Sequence, residues 1–412
     1  MKLSHFNFGQ QKDQYWVVYN SASSNCVVLT DTAYNDFLHM TCGEGDRQNY
    51  RLLGFYVDDN FDEVSALVEN SKYRLNSFNK KKFRVLTTTC CNAHCPYCYE
   101  AGVKTVTMSA ETAEVVADFI LMQSQGLKTV EIEWFGGEPL LNTRAIDMIC
   151  ARIMERKPAE LKFESSMISN GYLVDDMIIQ RMVGQWHLYQ IQITMDGMAT
   201  EYERVKGLGK GAFEKVIQNM SALCAAGIHV VVRLNFDNNN VAELHKLMEY
   251  LSMLPFKNQL EVYPAKINDG ARRADFILES ETMQMYGLLH DYGFIRRLKL
   301  LPRTMKTPCA ASHHGYYTIN ANGMLFKCDR KLLAGNAVGS VFEPAQIDSK
   351  AEQEWESFVL PEKCFKCKMI PLCWGGCIYE RINGQDYCYI TEEIVNHNLR
   401  LILDDYLNEV SK

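Results

Sequence analysis

The sequence lacks the features that mark membrane proteins and nucleic-acid-binding proteins. No apolar run among its 412 residues approaches the length of a membrane-spanning helix. The formal net charge is -7, whereas a protein that binds a phosphate backbone usually carries the opposite sign. The first residues lack the apolar core and the cleavage site of a signal peptide. We therefore expect a cytoplasmic protein with neither a membrane nor nucleic acid as its partner.

Cysteine, by contrast, is plentiful, and the 15 cysteines are distributed unevenly. Four of them crowd into positions 90–98, and seven fall between positions 309 and 388. In a long cytoplasmic chain, such clusters indicate metal or redox chemistry rather than disulfide bonds.

Hydrophobic periodicity predicts an α/β fold in the middle of the chain. The predicted strands cover residues 84–89, 129–135, 161–169, 189–195, 229–236 and 260–266. The first predicted helix opens at Ser109, and the others cover residues 143–156, 174–186, 211–226 and 240–253. Such alternation implies parallel strands with right-handed crossovers, which an open sheet and a partial barrel satisfy equally.

The flanking regions differ from this core and predict three domains. Residues 1–80 mix a helix with short strands, including a hairpin of residues 16–19 and 26–29. A Lys/Asn-rich stretch over residues 76–82 is typical of a linker. We expect an N-terminal α+β region over 1–80, a core over 81–300, and a cysteine-rich domain over 301–412.

The first cysteine cluster is suited to an iron–sulfur cube with one open corner. Cys91, Cys95 and Cys98 have the spacing C-x3-C-x2-C and follow the first predicted strand directly, where α/β folds place active sites. Three thiolates can hold three irons and leave the fourth iron free to bind a ligand. A zinc loop is the alternative, although zinc normally takes a fourth protein ligand.

The segment from Cys91 to Glu100 resembles the signature loop of radical S-adenosylmethionine (SAM) enzymes, including the aromatic Tyr97 before the last cysteine. In that family the open iron chelates SAM, and reductive cleavage of SAM yields a 5′-deoxyadenosyl radical that removes hydrogen from the substrate. The resemblance implies an oxidoreductase with a partial (β/α)6 radical SAM barrel.

Other segments match the positions that surround SAM in this family. Gly136-Gly137-Glu138-Pro139 looks like its GGEP motif, which holds the SAM amino group. By the resemblance, the residues that bind SAM are Tyr97, Gly136, Gly137, Glu138, Asn170, Thr194 and Arg204. For Arg204, the alternative is a solvated arginine at the start of a helix. Asp196 also lies at a position that resembles one around SAM in this family, and its alternative role is to shape a turn.

The second cysteine cluster follows the pattern C…GxxxxC…CxxCxxxxxCxxxC…C, which is similar to the SPASM domain of radical SAM peptide maturases. The resemblance implies two auxiliary [4Fe-4S] clusters and thus three [4Fe-4S] clusters in all. One would be held by Cys364, Cys367, Cys373 and Cys388, and the other by Cys309, Cys328 and Cys377. The fourth ligand of the latter stays open, with His313 and His314 as candidates, and a pair of zinc knuckles is the alternative.

The resemblance implies the maturation of a ribosomally made peptide, with a thioether or C–C crosslink as the product. The substrate would be a leader-bearing precursor peptide, and residues 1–80 would be either its docking module or a plain structural extension. A reductase, flavodoxin or ferredoxin would supply the electron.

Two other functions compete with this hypothesis. Asp329 follows Cys328, and anaerobic sulfatase-maturating enzymes look similar there, with a catalytic aspartate that would act as general base. The alternative is that Asp329 is a surface residue or a helix cap without a catalytic role. The lack of a further cysteine shortly after Cys309 argues against a sulfatase maturase. The third hypothesis is a non-catalytic metal-binding scaffold.

Overall fold

The computed structural model describes residues 1–76, 79–267, 279–302, 304–332, 334–357, 359–385, 388 and 390–410. The chain divides into two compact units. The barrel unit contains Ser77–Ala274 and Ala310–Phe358, and the terminal unit contains Met1–Asn76, Asp275–Cys309 and Val359–Lys412. The three functional domains expected from the sequence, 1–80, 81–300 and 301–412, stay a prediction beside this division by contacts.

Nine strands form the sheet of the barrel unit among the described residues, in the order β11-β10-β9-β8-β7-β6-β12-β13-β14. The strands are β6 (Lys80–Thr88), β7 (Thr129–Gly136), β8 (Lys162–Ser169), β9 (Leu188–Met195), β10 (His229–Phe236), β11 (Leu260–Lys266), β12 (Tyr317–Ile319), β13 (Met324–Phe326) and β14 (Gly339–Ser340). From β6 to β11 every neighbouring pair is parallel, which confirms the predicted alternating α/β core.

Five helices of the barrel unit lie where the sequence predicts them: α4 (Ala110–Gln123), α5 (Thr143–Arg156), α6 (Asp176–Gly184), α8 (Ala212–Ala225) and α9 (Val241–Ser252). Two others, α7 (Ala199–Lys206) and α11 (Ser349–Glu356), were not predicted. Ser109 caps α4, because its hydroxyl accepts a hydrogen bond from the Thr112 N–H at 3.1 Å. The two-turn helix α7 was not predicted, since its apolar positions are too few to show a clear period.

One sequence prediction needs correction at the end of the sheet, and one strand pairing was not predicted. The Lys/Asn-rich stretch over 76–82 is not a linker throughout, because Lys80–Lys82 belong to β6 and pair with β7; Ser77 and Phe78 lie outside the described residues. The region after residue 300 also contributes to the sheet, since β12 runs parallel to β6 and pairs with it from Tyr317 to Ile319. Short-range pattern does not reveal a pairing across more than 230 positions of sequence.

Alternation along the strands separates an apolar face from a polar face. In β7, Val130, Ile132 and Trp134 are fully buried. The opposite face carries the charge ladder, a set of ion pairs in which three basic residues of β6 each meet two carboxylates. Lys80 pairs with Glu131 and Glu164, Lys82 with Glu131 and Glu133, and Arg84 with Glu133 and Asp329. Because charged side chains retain water or partners, this face stays polar instead of forming a second apolar core.

The terminal unit joins the two ends of the chain in one apolar core. Its strands are β1 (Lys2–Leu3), β2 (Asn7–Lys12), β3 (Tyr15–Asn20), β4 (Cys26–Thr30) and β5 (Tyr56–Val57). Its helices are α1 (Asp31–His39), α2 (Glu44–Leu52), α3 (Glu63–Asn76), α10 (Glu279–Asp291), α12 (Ile370–Cys373), α13 (Ile378–Ile382) and α14 (Glu392–Val410). Trp16 pairs with Leu29, as the predicted hairpin requires, and Phe8 and Val17 pack in one cluster with Leu399.

In the described part of the chain, no helix combines the length and the apolar character that a membrane crossing requires.

Candidate functional site

The cysteine loop, residues 89–106, leaves the carboxyl end of β6 and carries Cys91, Cys95 and Cys98. Backbone hydrogen bonds fasten it to the turn that ends β7. The Glu138 N–H donates to the Cys90 carbonyl at 2.8 Å, and the Gly137 N–H donates to the Thr88 carbonyl at 3.2 Å. The cysteine motif and the Gly-Gly-Glu-Pro motif, which are about 40 residues apart in the sequence, therefore lie at the same edge of the sheet.

Only glycine fits at the two positions where this turn crosses β6. A Cβ on Gly137 would lie 2.2 Å from the Cys90 carbonyl oxygen, and a Cβ on Gly136 would lie 2.2 Å from the Thr88 carbonyl oxygen. Gly136 also has φ near +117°, a backbone conformation that side chains disfavour. The pair of glycines is required by this close packing of backbone on backbone.

A cavity of about 380 Å³ opens between the cysteine loop and the turn. It is lined by Thr89, Cys91, Ala93, His94, Cys95, Cys98, Tyr99, Glu100, Ala101, Phe135, Gly136 and Gly137. In the described residues, no three Cys, His, Asp or Glu side chains converge on a point where one metal ion would sit. A cubane places each thiolate on a different iron, and three soft sulfur donors around an open cavity fit such a cluster.

Glu138 is buried beneath this site and accepts hydrogen bonds from the residues around it. Its side chain is 0% exposed and accepts hydrogen bonds from Ser169 Oγ at 2.9 Å, from the Asn170 N–H at 2.9 Å and from the Leu140 N–H at 3.1 Å. Burial raises the pKa of this carboxyl, although these donors act against the rise. Asn170 in turn donates from Nδ2 to Asn92 Oδ1 at 2.8 Å, so Glu138 positions the cysteine loop through Asn170.

A buried ammonium group lies on the other side of the cysteine loop. Lys206 is 3% exposed, and its Nζ lies 3.0 Å from Asp196 Oδ2, 3.3 Å from the Tyr97 hydroxyl and 3.7 Å from Cys95 Sγ. Tyr97 also donates a hydrogen bond to Asp196. Burial lowers the pKa of Lys206, but the charges of Asp196 and Cys95 outweigh it and raise the pKa above its usual range.

Lys206 also holds the loop through its backbone, because its carbonyl accepts a hydrogen bond from the His94 N–H at 2.7 Å. Sequence reasoning did not single out Lys206, and its assignment of Arg204 to SAM binding stays a prediction. Arg204 has a 66% exposed side chain that pairs with Glu201 on the surface of α7. Helical spacing could have distinguished Lys206 from Arg204. Lys206 lies four residues after the fully buried Tyr202 and therefore on the same face of the helix.

Asp329 is engaged in an ion pair next to the cavity. Its Oδ2 lies 2.9 Å from Arg84 Nη1 and accepts a hydrogen bond from the Tyr99 hydroxyl at 2.7 Å. Glu100, beside Tyr99, has both carboxylate oxygens buried without a hydrogen bond in the described residues, and burial together with Asp329 raises its pKa to about 7. Asp329 as a general base stays a prediction.

Thr194, which the resemblance assigns to SAM binding, is half-buried near the end of β9.

The structure brings one of the two auxiliary cysteine sets together. Cys364, Cys367, Cys373 and Cys388 are near enough to influence each other's charge, and all four belong to the terminal unit. Gly375 is required beside them, because a Cβ there would lie 3.3 Å from Cys364 Sγ and its φ is +73°. The other set, Cys309, Cys328 and Cys377, is divided between the units, and its cluster stays a prediction.

Comparison with known proteins agrees with this geometry. The family model of the Radical SAM superfamily matches residues 85–251, which include the end of β6, the cysteine loop and β7 to β10. A radical SAM cyclopropyl synthase, TigE of Paramaledivibacter caminithermalis, is 23% identical over 394 residues, covering 85% of this chain and 80% of that protein. A serine-type anaerobic sulfatase-maturating enzyme of Klebsiella aerogenes is 20% identical over 313 residues, covering 70% of this chain and 76% of that protein.

Solved structures show the same fold. Native anSMEcpe with bound AdoMet and Kp18Cys peptide superposes with a TM-score of 0.57 at 16% identity, covering 80% of this chain and 99% of that one. Streptococcus suis SuiB bound to the precursor peptide SuiA superposes with a TM-score of 0.55 at 13% identity, covering 95% of this chain and 99% of that one. These likenesses confirm the predicted α/β radical SAM fold.

The first prediction concerns the glycine turn. Gly137→Ala places a methyl group against the Cys90 carbonyl, and overpacking of this kind costs about 1–3 kcal/mol. We expect a lower melting temperature and a lower iron content after anaerobic reconstitution, because the cysteine loop is displaced. Gly184→Ala is the matched control, since a Cβ there meets nothing within 4 Å. Equal behaviour of the two variants would show that the close packing is not required.

The second prediction concerns Lys206. Lys206→Met leaves Asp196 buried without its cation, and breaking such a pair costs about 3–5 kcal/mol. We expect a large fall in the free energy of unfolding, measured with denaturant, and weaker SAM binding. Lys246→Met removes an exposed ion pair with Glu243 and should cost less than about 1 kcal/mol. If Arg204→Gln weakened SAM binding and Lys206→Met did not, the sequence-based choice of Arg204 would be right.

Proposed function

We propose that this chain, in which residues 85–251 form a radical SAM domain, is a peptide-modifying enzyme that installs a thioether or C–C crosslink in a ribosomally made peptide. One observation carries the proposal. Three cysteines lie around an open cavity at the carboxyl edge of a parallel sheet, fastened by backbone hydrogen bonds to a Gly-Gly-Glu-Pro turn. This is the place where α/β folds assemble their active sites.

The residues present fit a [4Fe-4S] cluster and SAM. Cys91, Cys95 and Cys98 would hold three irons, and SAM would occupy the cavity along Gly136 and Gly137. When bound together and reduced, the cluster and SAM supply a 5′-deoxyadenosyl radical, which removes hydrogen from an unactivated C–H bond. The protein contributes position and exclusion of water and of other hydrogen donors.

Three side chains and the backbone of the glycine turn would contact different parts of SAM. SAM carries a carboxylate and an ammonium, and the buried Lys206 offers the positive charge that suits the carboxylate. The backbone carbonyls of the glycine turn suit the ammonium. Asn170 directly follows β8 and Thr194 is the second-last residue of β9, so both lie near the same edge of the sheet, where they would contact the ribose.

The cysteine-rich region would hold two auxiliary [4Fe-4S] clusters. The four cysteines from Cys364 to Cys388 support one of them, because they lie together in the terminal unit. Such clusters would accept an electron from the substrate radical or bind its sulfur. A reductase, flavodoxin or ferredoxin would supply the electron that starts the reaction.

A peptide substrate is supported by the relatives that bind peptides. SuiB is seen with its precursor peptide SuiA, and anSMEcpe is seen with the Kp18Cys peptide. Residues 1–80 would bind the leader segment by adding a strand to a sheet edge. The three-stranded sheet β2-β3-β4 leaves β2 and β4 at its edges within the described residues.

A second candidate function is formylglycine formation on a sulfatase. The sulfatase-maturating relative and the position of Asp329 after Cys328 favour it. Asp329 would then deprotonate a Ser or Cys side chain, although in this structure its Oδ2 is paired with Arg84. The absence of a further cysteine between Cys309 and Cys328 still favours the crosslinking enzyme.

The third prediction tests the clusters by iron content. We expect the anaerobically reconstituted protein to bind about twelve irons, and Cys91→Ala/Cys95→Ala/Cys98→Ala to bind roughly four fewer. Cys364→Ala/Cys367→Ala should lose a similar number while retaining the SAM-binding cluster. Cys90→Ala is the control beside the motif, and its iron content should not change. Zinc in place of iron and sulfide would leave only the non-catalytic scaffold.

The fourth prediction tests the product by co-expression with each short peptide that is encoded in the genes next to this one. Mass spectrometry should show the loss of two hydrogen atoms per crosslink, and no reaction with a hydrazide probe. Formylglycine made from serine has the same mass change but reacts with the hydrazide as an aldehyde. An aldehyde on a neighbouring sulfatase would establish the second candidate, and a wild-type protein that does not cleave SAM under reduction would contradict both.

A further inference from the structure

Arg233 in the middle of β10 is the feature that the proposed function does not use. Its neighbours in the strand, Val232 and Leu234, are fully buried on the helix-covered face of the sheet. Alternation therefore places Arg233 and Asn235 on the opposite face, which is also the face of the charge ladder. Tyr263 on β11 lies close enough to both Arg233 and Glu133 for their charges to shift its pKa, which agrees with this placement.

Arg233 differs from the basic residues of the charge ladder because it has no counter-ion in the described part of the chain. Lys80, Lys82 and Arg84 each meet two carboxylates. None of the ion pairs between described residues involves Arg233, and its Nε is buried without a hydrogen-bond partner. A buried guanidinium N–H without an acceptor is costly, and a carboxylate is the group that matches its planar fork.

Asn235 adds an acceptor beside this donor. Its Oδ1 is also buried without a hydrogen-bond partner, two residues further along the same face of β10. The side chain of Asn235 contacts the Tyr97 hydroxyl in the cysteine loop. An unused donor and an unused acceptor thus lie side by side next to the candidate active site.

The position of Arg233 in the sheet separates it from the residues assigned to SAM. It pairs in register with Thr194 on β9 and with Tyr263 on β11, the last strand on that side of the sheet. Lys206, which already supplies a buried cation next to Cys95, would neutralise the SAM carboxylate. Arg233 therefore lies between the cofactor site and the edge strand, where a substrate would contact the polar face.

We propose that Arg233 binds a carboxylate of the peptide substrate, from an acidic side chain or the peptide C-terminus, while Asn235 Oδ1 accepts a hydrogen bond from a neighbouring N–H of that peptide. This proposal rests on the proposed peptide-modifying function. Arg233 is a specificity-determining residue: the bidentate contact fixes which segment of the peptide lies beside the cysteine loop.

The test is a double-mutant cycle with the reconstituted holoenzyme and the substrate peptide that the co-expression experiment identifies. Arg233→Gln should weaken peptide binding at least about tenfold, measured anaerobically by fluorescence anisotropy, because a charge-assisted hydrogen bond is lost. Peptide variants that replace each Asp or Glu by its amide, and one with an amidated C-terminus, identify the carboxylate. With that variant peptide, Arg233→Gln should cause no further loss. Additive losses for every peptide variant would overturn the proposal.

Controls separate this outcome from others. Arg144→Gln, on an exposed arginine of α5, should leave peptide binding unchanged. Arg233→Lys should restore part of the affinity, which a purely structural role in the strand would not predict. An equal loss of SAM affinity in Arg233→Gln would mean that the carboxylate belongs to SAM and would overturn the proposal. Wild-type protein that cleaves no SAM under reduction would instead remove the proposed function, whereas intact SAM cleavage without the coupling would remove only the role of Arg233.

Discussion

The ion pair between Lys206 and Asp196 is the constraint on which the candidate active site depends. It lies buried at the end of α7, touches Cys95, and anchors Tyr97 through its hydroxyl. Two charges removed from water stabilise a structure only when their partners are held in place, so the pair demands that α7, β9 and the cysteine loop meet in one arrangement. The short helix α7 thereby determines the position of thiols more than 100 residues earlier in the chain.

On the opposite side, Glu138 acts in a similar way, although no described residue forms an ion pair with it. Its buried carboxylate is satisfied by backbone and hydroxyl donors at the ends of β7 and β8. The cysteine loop is thus held between a charged contact on one flank and a hydrogen-bonded contact on the other. A loop of this length would otherwise be mobile, and a cluster site requires its donors to be in place before the ligand arrives.

The sequence was sufficient to predict the repeating core and the chemistry of its donors. Strands such as Thr129–Gly136 have clear periodicity, and C-x3-C-x2-C is a local pattern, so both can be read without knowledge of distant contacts. The contacts of Lys206, Arg84 and Arg233 could not be predicted, because each depends on which residues meet across the sheet. Likewise, β12 joins β6 from the cysteine-rich region, and nothing in its three residues signals that pairing.

The shared core of the terminal unit has a consequence for the order of folding during synthesis. Phe8 and Val17 are synthesised almost 400 residues before their packing partners Leu399 and Leu403. The barrel unit can therefore fold before α14 is synthesised, whereas β2 and β3 cannot complete their apolar core until α14 is present. Because the cysteines from Cys364 to Cys388 belong to the same late-closing unit, they would come together only after the cysteine loop that follows β6 has already taken shape.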